Sequence, residues 1–259
     1  MRHVILEVAW QTWIVSLRDL KRFWQNIYWL AGQVAMNIAD LLIFGLIFRG
    51  VVKLELIPDY IRFITPGILC LSIFISSFTI GREVGVELRR EVTQYLVSLP
   101  VMRGALVAGR VLGGVLRGFM YQAGFLLLAV ILMGPPTLER WLLILLASLM
   151  IAITMSSLSI TLVTLTRDFN LQAAIRSMVY FAFFFISNVF YPERALEARL
   201  GSLAPIARYS PVSMAVSIYR YAFNYLREVD LKFNLLGLGA WCISTFLFAY
   251  KLYIRNLTS

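Results

Sequence analysis

Six apolar runs, at about residues 27–48, 61–80, 107–133, 141–165, 171–191 and 231–253, dictate most of what this chain can fold into. A helix rises about 1.5 Å per residue, so each run is near the ~20 residues that cross ~30 Å of hydrocarbon. In lipid, every backbone N–H and C=O must be satisfied within the protein, which restricts spanning segments to helices and closed barrels. Unbroken apolar runs of this length read as helices. Composition agrees, with 60% hydrophobic and only 15% charged residues, against about a quarter charged in soluble globular domains. The expected fold is an all-α integral membrane protein of six transmembrane helices, a single domain over residues 1–259.

The net charge of +10 does not point to nucleic acid. The basic residues flank apolar runs, where they set topology and meet anionic lipid, so the expected partner is membrane lipid. Six spans put both termini on one side. That side holds Arg2, Arg18, Lys21, Arg22, Arg82, Arg89, Arg90, Arg103, Arg110, Arg167, Arg176, Lys251 and Arg255, whereas the first two opposite loops and their flanks hold only Arg49, Lys53, Arg62 and Arg140. The bias predicts a multi-pass protein of the cell (cytoplasmic, or inner) membrane with both termini cytoplasmic. Cys70 and Cys242 fall in apolar runs and read as reduced and structural. Glu7 and Gln11 interrupt what a signal peptide would need as an apolar core.

Three stretches are amphipathic. Residues 1–25 set Ile5, Val8, Leu17 and Leu20 against Glu7, Gln11, Arg18, Asp19, Lys21 and Arg22; with Trp10, Trp13 and Trp24 this suits a helix in the headgroup layer, a solvated leader helix being the plainer reading. Residues 192–230 carry Arg194, Arg199, Arg208, Arg220 and Arg227 on the side that should be poor in charge. Within them Ser210-Pro211 has the chemistry of an N-cap and first helical residue. Val212, Ala215, Val216, Tyr219 and Phe223 then recur at helical spacing. The expectation is a re-entrant helix before the last span, its arginines reaching the headgroups; an ordinary folded external loop is the alternative. Residues 82–100 put Val84, Leu88, Val92, Tyr95, Leu96 and Leu99 on one stripe and most charges elsewhere. Between two spans, such a segment either lies on lipid or docks on a partner.

Some chemistry is missing. No G-x-x-x-x-G-K-[ST] phosphate loop occurs, so the chain does not bind ATP by that route. His3 is the single histidine, which leaves no histidine-based metal or nucleophilic centre. Gly109, Gly113 and Gly114 open a span and read as close helix packing. Two charges lie deep in spans: Asp40, about 20 Å along the first, and Arg117, about 15 Å along the third. An uncompensated charge there costs ~2.5–3.5 kcal/mol, so each needs protein or water around it. Asp40 and Arg117, assisted by Asn37, are the candidates for a pair near a translocation path, or for a purely structural pair. The aromatic run Tyr180, Phe181, Phe183, Phe184, Phe185, Phe190 and Tyr191 covers every helix face and reads chiefly as lipid contact and packing, the alternative being a passage lined for sugars or amphiphiles by stacking.

The order of motifs resembles the ABC-2 type permease family, the membrane-spanning subunits of ATP-binding cassette exporters. The resemblance rests on Glu87-Leu88-Arg89-Arg90-Glu91, Leu96-Val97-Ser98-Leu99-Pro100, Arg103 and Gly109-Arg110-Val111-Leu112-Gly113-Gly114. It continues with Arg167-Asp168-Phe169-Asn170, and with Ser187-Asn188-Val189-Phe190-Tyr191-Pro192 followed by Ser210-Pro211 and Arg220. Glu91 and Asn188 stand where the family often has glycine. The resemblance implies a transport subunit that is not itself an enzyme. It also implies a coupling helix seated in a separate ABC ATPase subunit through Glu87, Arg89, Arg90, Glu91 and Tyr95, with Arg167 and Asp168 as a second contact. Two ATPase copies and a second copy of the permease are expected, with ATP and magnesium held on the ATPase and no cofactor in this chain. The expected function is export of an amphiphilic, lipid-linked or drug-like substrate through the interface of a homodimer. The alternatives are an ion- or proton-coupled secondary transporter or channel working through Asp40 and Arg117, and a membrane-embedded enzyme. The first lacks an internal repeat, and the second lacks clustered acidic or histidine side chains within the spans.

Overall fold

The computed structural model describes residues 2–25, 57, 59–89, 100–166, 168–192, 204–225 and 229–258, with isolated positions between 28 and 43 and at 95, 98 and 201. Among them every regular element is a helix: α1 (Arg2–Gln25), α2 (Tyr60–Phe78), α3 (Ile80–Arg89), α4 (Arg103–Met133), α5 (Leu138–Thr164), α6 (Phe169–Ile186), α7 (Ala204–Arg208), α8 (Pro211–Ala222) and α9 (Leu231–Thr258). Five candidate membrane spans fall within them: Tyr60–Arg89, Arg103–Met133, Leu138–Thr164, Phe169–Ile186 and Leu231–Asn256. They coincide with five of the apolar runs. Of the run at 27–48 only isolated positions are described, and Asn37 and Asp40 are not among them.

α2 is the axis of the molecule. Asp59 caps it, its carboxylate accepting from the Arg62 N–H at 3.2 Å, which satisfies one of the donors a helix leaves open at its start. Every side chain from Phe63 to Phe78 is buried, because α4, α5 and α8 surround it. The chain bends at Thr79, whose hydroxyl donates to Ser76 O at 2.7 Å, and continues as α3. Small residues permit the crowding. The Cβ that Gly118 lacks would fall 2.2 Å from Ser77 Oγ, and that of Gly114 2.2 Å from Ser156 Oγ. Both lie well inside the distance at which real side chains must shift, so the glycines serve helix packing as their spacing suggested.

α1 lies along the first half of α4 in a way its sequence pattern did not foretell. The buried strip of α1 is Ser16, Asp19 and Phe23, while Trp10, Trp13, Ile14, Leu17 and Trp24 face outward. Contact is close because a Cβ on Gly109 would meet Val15 Cβ at 2.6 Å and Thr12 O at 2.8 Å. Gln11 Oε1 accepts from the Met102 N–H at 2.8 Å, fastening the start of α4 to the same helix.

α6 and α9 are peripheral. Only Gln172 and Phe184 of α6 are buried, and its aromatic run divides accordingly: Tyr180 stacks on Phe74 at 5.3 Å and Phe184 meets Phe190 at 5.1 Å, while Phe181 and Phe185 stay exposed. α8 behaves oppositely. At 12 residues it is about 18 Å long, too short to cross a bilayer, yet it is buried on nearly every side. Its polar face finds partners instead of solvent. Asn188 donates its N–H to Ser213 Oγ at 3.0 Å and its Nδ2 to Ser217 Oγ at 3.1 Å. Tyr219 Oη accepts from Gln122 Nε2 at 2.8 Å and lies 2.6 Å from Ser148 Oγ. The helix begins at Pro211 as anticipated, but the Ser210 side chain makes no capping bond. Arg220 does not reach the headgroups as its sequence position suggested: it is 1% exposed, turned into the protein. Cys70 and Cys242 are free thiols.

Candidate functional site

Charges on α1, α3 and α4 converge where these helices meet. On α3, Glu83 and Glu87 are one turn apart and share a face. On α4, Arg110 and Arg117 are two turns apart and also share one. α1 supplies Arg18, Asp19 and Arg22, brought in by the close approach at Gly109 and at Gly113, where a Cβ would sit 3.0 Å from Asp19 Cβ.

Arg110, with no solvent exposure, donates from one guanidinium nitrogen to Asp19 Oδ1 at 2.6 Å and from the other to Glu87 Oε2. Glu87, 4% exposed, also accepts from Arg22, and from Arg18 at 3.4 Å. Arg117, 1% exposed, grips Glu83 with both nitrogens at 2.6 and 2.7 Å, donates to the Asp19 carbonyl at 2.8 Å, and lies 5.2 Å from the Phe23 ring centroid. Four guanidinia thus face three carboxylates. Burial, then the neighbouring Arg110 charge, lowers the Arg18 pKa from its ordinary value, and Asp19 opposes the shift. Such a cluster has no bond-making chemistry of its own. Breaking a buried pair by removing one partner costs about 3–5 kcal/mol, so displacement of α3 is resisted by α1 and α4 and carries them with it.

A second contact lies at the same end of the molecule. Asp168 caps α6, its carboxylate accepting from the Asn170 and Leu171 N–H groups at 2.7 and 3.2 Å. Arg89 lies over the Phe169 ring, 5.4 Å from its centroid. Gln172 donates to Val163 O at 2.9 Å and to Thr166 O at 2.6 Å, securing the turn from α5 into α6. The end of α3 and the start of α6, expected as separate contacts with a partner, are therefore neighbours.

At the opposite end, Arg220 donates to Asn188 O at 2.9 Å, Val189 O at 3.0 Å and Phe63 O at 3.3 Å, with its guanidinium 3.8 Å from the Phe63 ring centroid. It ties α8, the turn after α6 and the first turn of α2 into one unit.

Of the expected coupling residues, Glu87 points inward and spends its carboxylate within the chain; it presents no surface to a partner. Arg89 and Tyr95 are exposed, Tyr95 at 66%, and Asp168 is exposed next in sequence to Phe169, the ring over which Arg89 lies. Arg90, Glu91 and Arg167 lie outside the described residues, as do Asn37 and Asp40. Among the described residues the carboxylate that Arg117 meets is that of Glu83 on α3; Asp40, the partner expected from sequence, lies outside them. Asp19, Arg18, Arg22, Glu83 and Arg110 were not singled out from sequence. The available signal was spacing: glutamates one turn apart, and arginines two turns apart in a span that opens with closely spaced glycines.

Comparison with curated proteins found no match. The description ABC-2 type transporter matches residues 10–224, a stretch running from the middle of α1 through α8 that contains all the buried charges of the cluster as well as Arg220. On that match the chain is a multi-pass transport permease belonging to the ABC-2 type transporter family.

Proposed function

We propose that this chain is the membrane subunit of an ATP-driven exporter, in which residues 82–100 couple a separate ATPase to the spans. The observation that carries the reading is the position of Glu87. It sits at the base of that segment and ion-pairs with α1 and α4 together. A push on the exposed end of the segment, near Arg89 and Tyr95, is then conveyed to two further helices rather than absorbed in a loop. Rigid shifts of packed helices are the ordinary currency of such transitions.

In this reading the run at 27–48 is a sixth span, both termini are cytoplasmic, and α1 lies in the headgroup layer. The outward tryptophans of α1 support that placement, since tryptophan favours the membrane interface. α8 is a re-entrant helix, supported by its length and burial. Two copies of the chain enclose the passage and two ATPase subunits hold ATP and magnesium, because a single six-helix subunit has no evident private pore and a two-fold interface supplies one. The substrate is amphiphilic, lipid-linked or drug-like. The ion-coupled alternative works through Asp40 and Arg117; the engagement of Arg117 with Glu83 on α3 favours a coupling role for that arginine.

The test is purification from the native membrane followed by transport in sealed vesicles. Co-purification of an ATPase, with transport that needs ATP and survives collapse of ion gradients, supports the proposal. Transport that runs on an ion gradient without an associated ATPase overturns it.

A further inference from the structure

The end of α2 and its continuation α3 run antiparallel to α6, and their contacts advance in step. Arg89 lies over Phe169 at 5.4 Å; a Cβ on Gly85 would stand 2.7 Å from Gln172 Oε1; Arg176 lies over the Phe78 ring at 5.6 Å; and Phe74 stacks on Tyr180 at 5.3 Å. Each turn on one helix is matched by a turn on the other. This register sets Arg82 beside Arg176, close enough for the Arg82 charge to act on its neighbour. Each is seven residues from the Arg89–Phe169 pair, about 10 Å deeper along the helices.

Arg82 is exposed and Arg176 half-buried. Among the described residues neither forms an ion pair, and Arg176 Nε is buried without a hydrogen-bond partner. The nearby carboxylates, Glu83 and Glu87, are spent on Arg117, Arg110, Arg22 and Arg18. Two like charges side by side at this depth oppose folding: each is costly to hold near hydrocarbon, and they repel one another. The Phe78 ring offers Arg176 a cation–π contact but does not offset the Arg82 charge beside it. An anion between them removes both penalties. Guanidinium forks match phosphate oxygens in geometry as well as charge, and long arginine side chains reach toward the headgroup layer while their stems stay in apolar surroundings.

We propose that Arg82 and Arg176 form a binding site for the phosphate of an amphiphile in the leaflet on the coupling side. The phosphate belongs either to a resident phospholipid or to a lipid-linked cargo, and the same chemistry serves both. The site stands apart from the transport reading, because its readout is lipid retention.

The experiment uses the purified full chain, delipidated in detergent and titrated with phosphatidylglycerol and phosphatidylcholine, with bound lipid read by native mass spectrometry. The parent protein is expected to retain phosphatidylglycerol roughly tenfold over phosphatidylcholine, a free-energy difference within reach of one charge-assisted site. Arg82→Gln/Arg176→Gln loses the preference without changing phosphatidylcholine retention, Arg82→Lys/Arg176→Lys keeps part of it, and Arg62→Gln, at the far end of α2, keeps all of it. Without lipid, the double glutamine variant melts no lower than the parent. A polyprenyl phosphate that displaces phosphatidylglycerol at a tenth of its concentration identifies a cargo site; equal competition identifies a resident lipid. An undiminished preference in the double glutamine variant, no preference in the parent, or a lower melting temperature of the lipid-free variant overturns the proposal.

Discussion

Replacing Glu87 by glutamine separates a residue that works inside the chain from one that docks on a partner. The glutamine keeps the shape and removes the charge. Of the three guanidinia on Glu87, those of Arg18 and Arg22 belong to side chains 31% and 45% exposed, where water screens the pair, so their loss is worth little. Arg110 is wholly buried and keeps Asp19 as its ion-pair partner among the described residues. Removing one partner of a buried pair costs about 3–5 kcal/mol; Asp19 still neutralises Arg110 in part, which places the expected loss near the lower end, about 3 kcal/mol. For a chain of this size that is roughly 6–12 °C of melting temperature, measured on the isolated permease in one detergent. A double-mutant cycle with Arg110→Gln is expected to return a coupling of about 1–3 kcal/mol. If Glu87→Gln leaves the isolated permease unchanged and only weakens its hold on an ATPase, the inward placement of Glu87 is wrong.

Gly109→Ala is expected to cost about 1–3 kcal/mol by forcing α1 away from α4, because its Cβ meets backbone as well as side chain. Gly124→Ala, with nothing within 4 Å of the new atom, is expected to be neutral or to stabilise by up to about 1 kcal/mol; thermal melts of the two proteins check the contrast. Arg220→Gln removes charge-assisted bonds to three carbonyls, each of which is worth ~1.5–3 kcal/mol in the general case. Its loss is expected to expose the turn after α6 to proteolysis at lower temperature, with little effect on α1.

The spans were legible in the sequence because hydrocarbon thickness imposes a length and hydrocarbon imposes apolarity, and both can be read one run at a time. The continuation of α2 into α3 was less legible. Charges resume at Arg82, which looks like an exit from the membrane, but Glu83 and Glu87 are matched by arginines on α4 that the run at 107–133 conceals among apolar and small residues. Direction is the recurrent difficulty. An amphipathic pattern identifies two faces without saying which faces the protein. In α1 the polar strip of Ser16 and Asp19 turns inward and the tryptophans turn outward, because Asp19 meets its partner Arg110 inside. α8 repeats the lesson, since Ser213, Ser217 and Arg220 are satisfied by carbonyls and an asparagine brought from distant parts of the chain. Such partners are invisible until the helices are placed.

The claim that residues 82–100 couple an ATPase to the spans is tested most directly by ATP hydrolysis of the purified complex in liposomes, comparing parent with Tyr95→Ala/Arg89→Ala. Both side chains are exposed and stabilise little within the permease, so its melting temperature is expected to stay within about 1 °C, as is usual for surface changes. The account predicts that hydrolysis no longer responds to the permease and that transport falls at least tenfold, about 1.4 kcal/mol of lost coupling. Unchanged hydrolysis and transport in that variant, with the ATPase still bound, would contradict it.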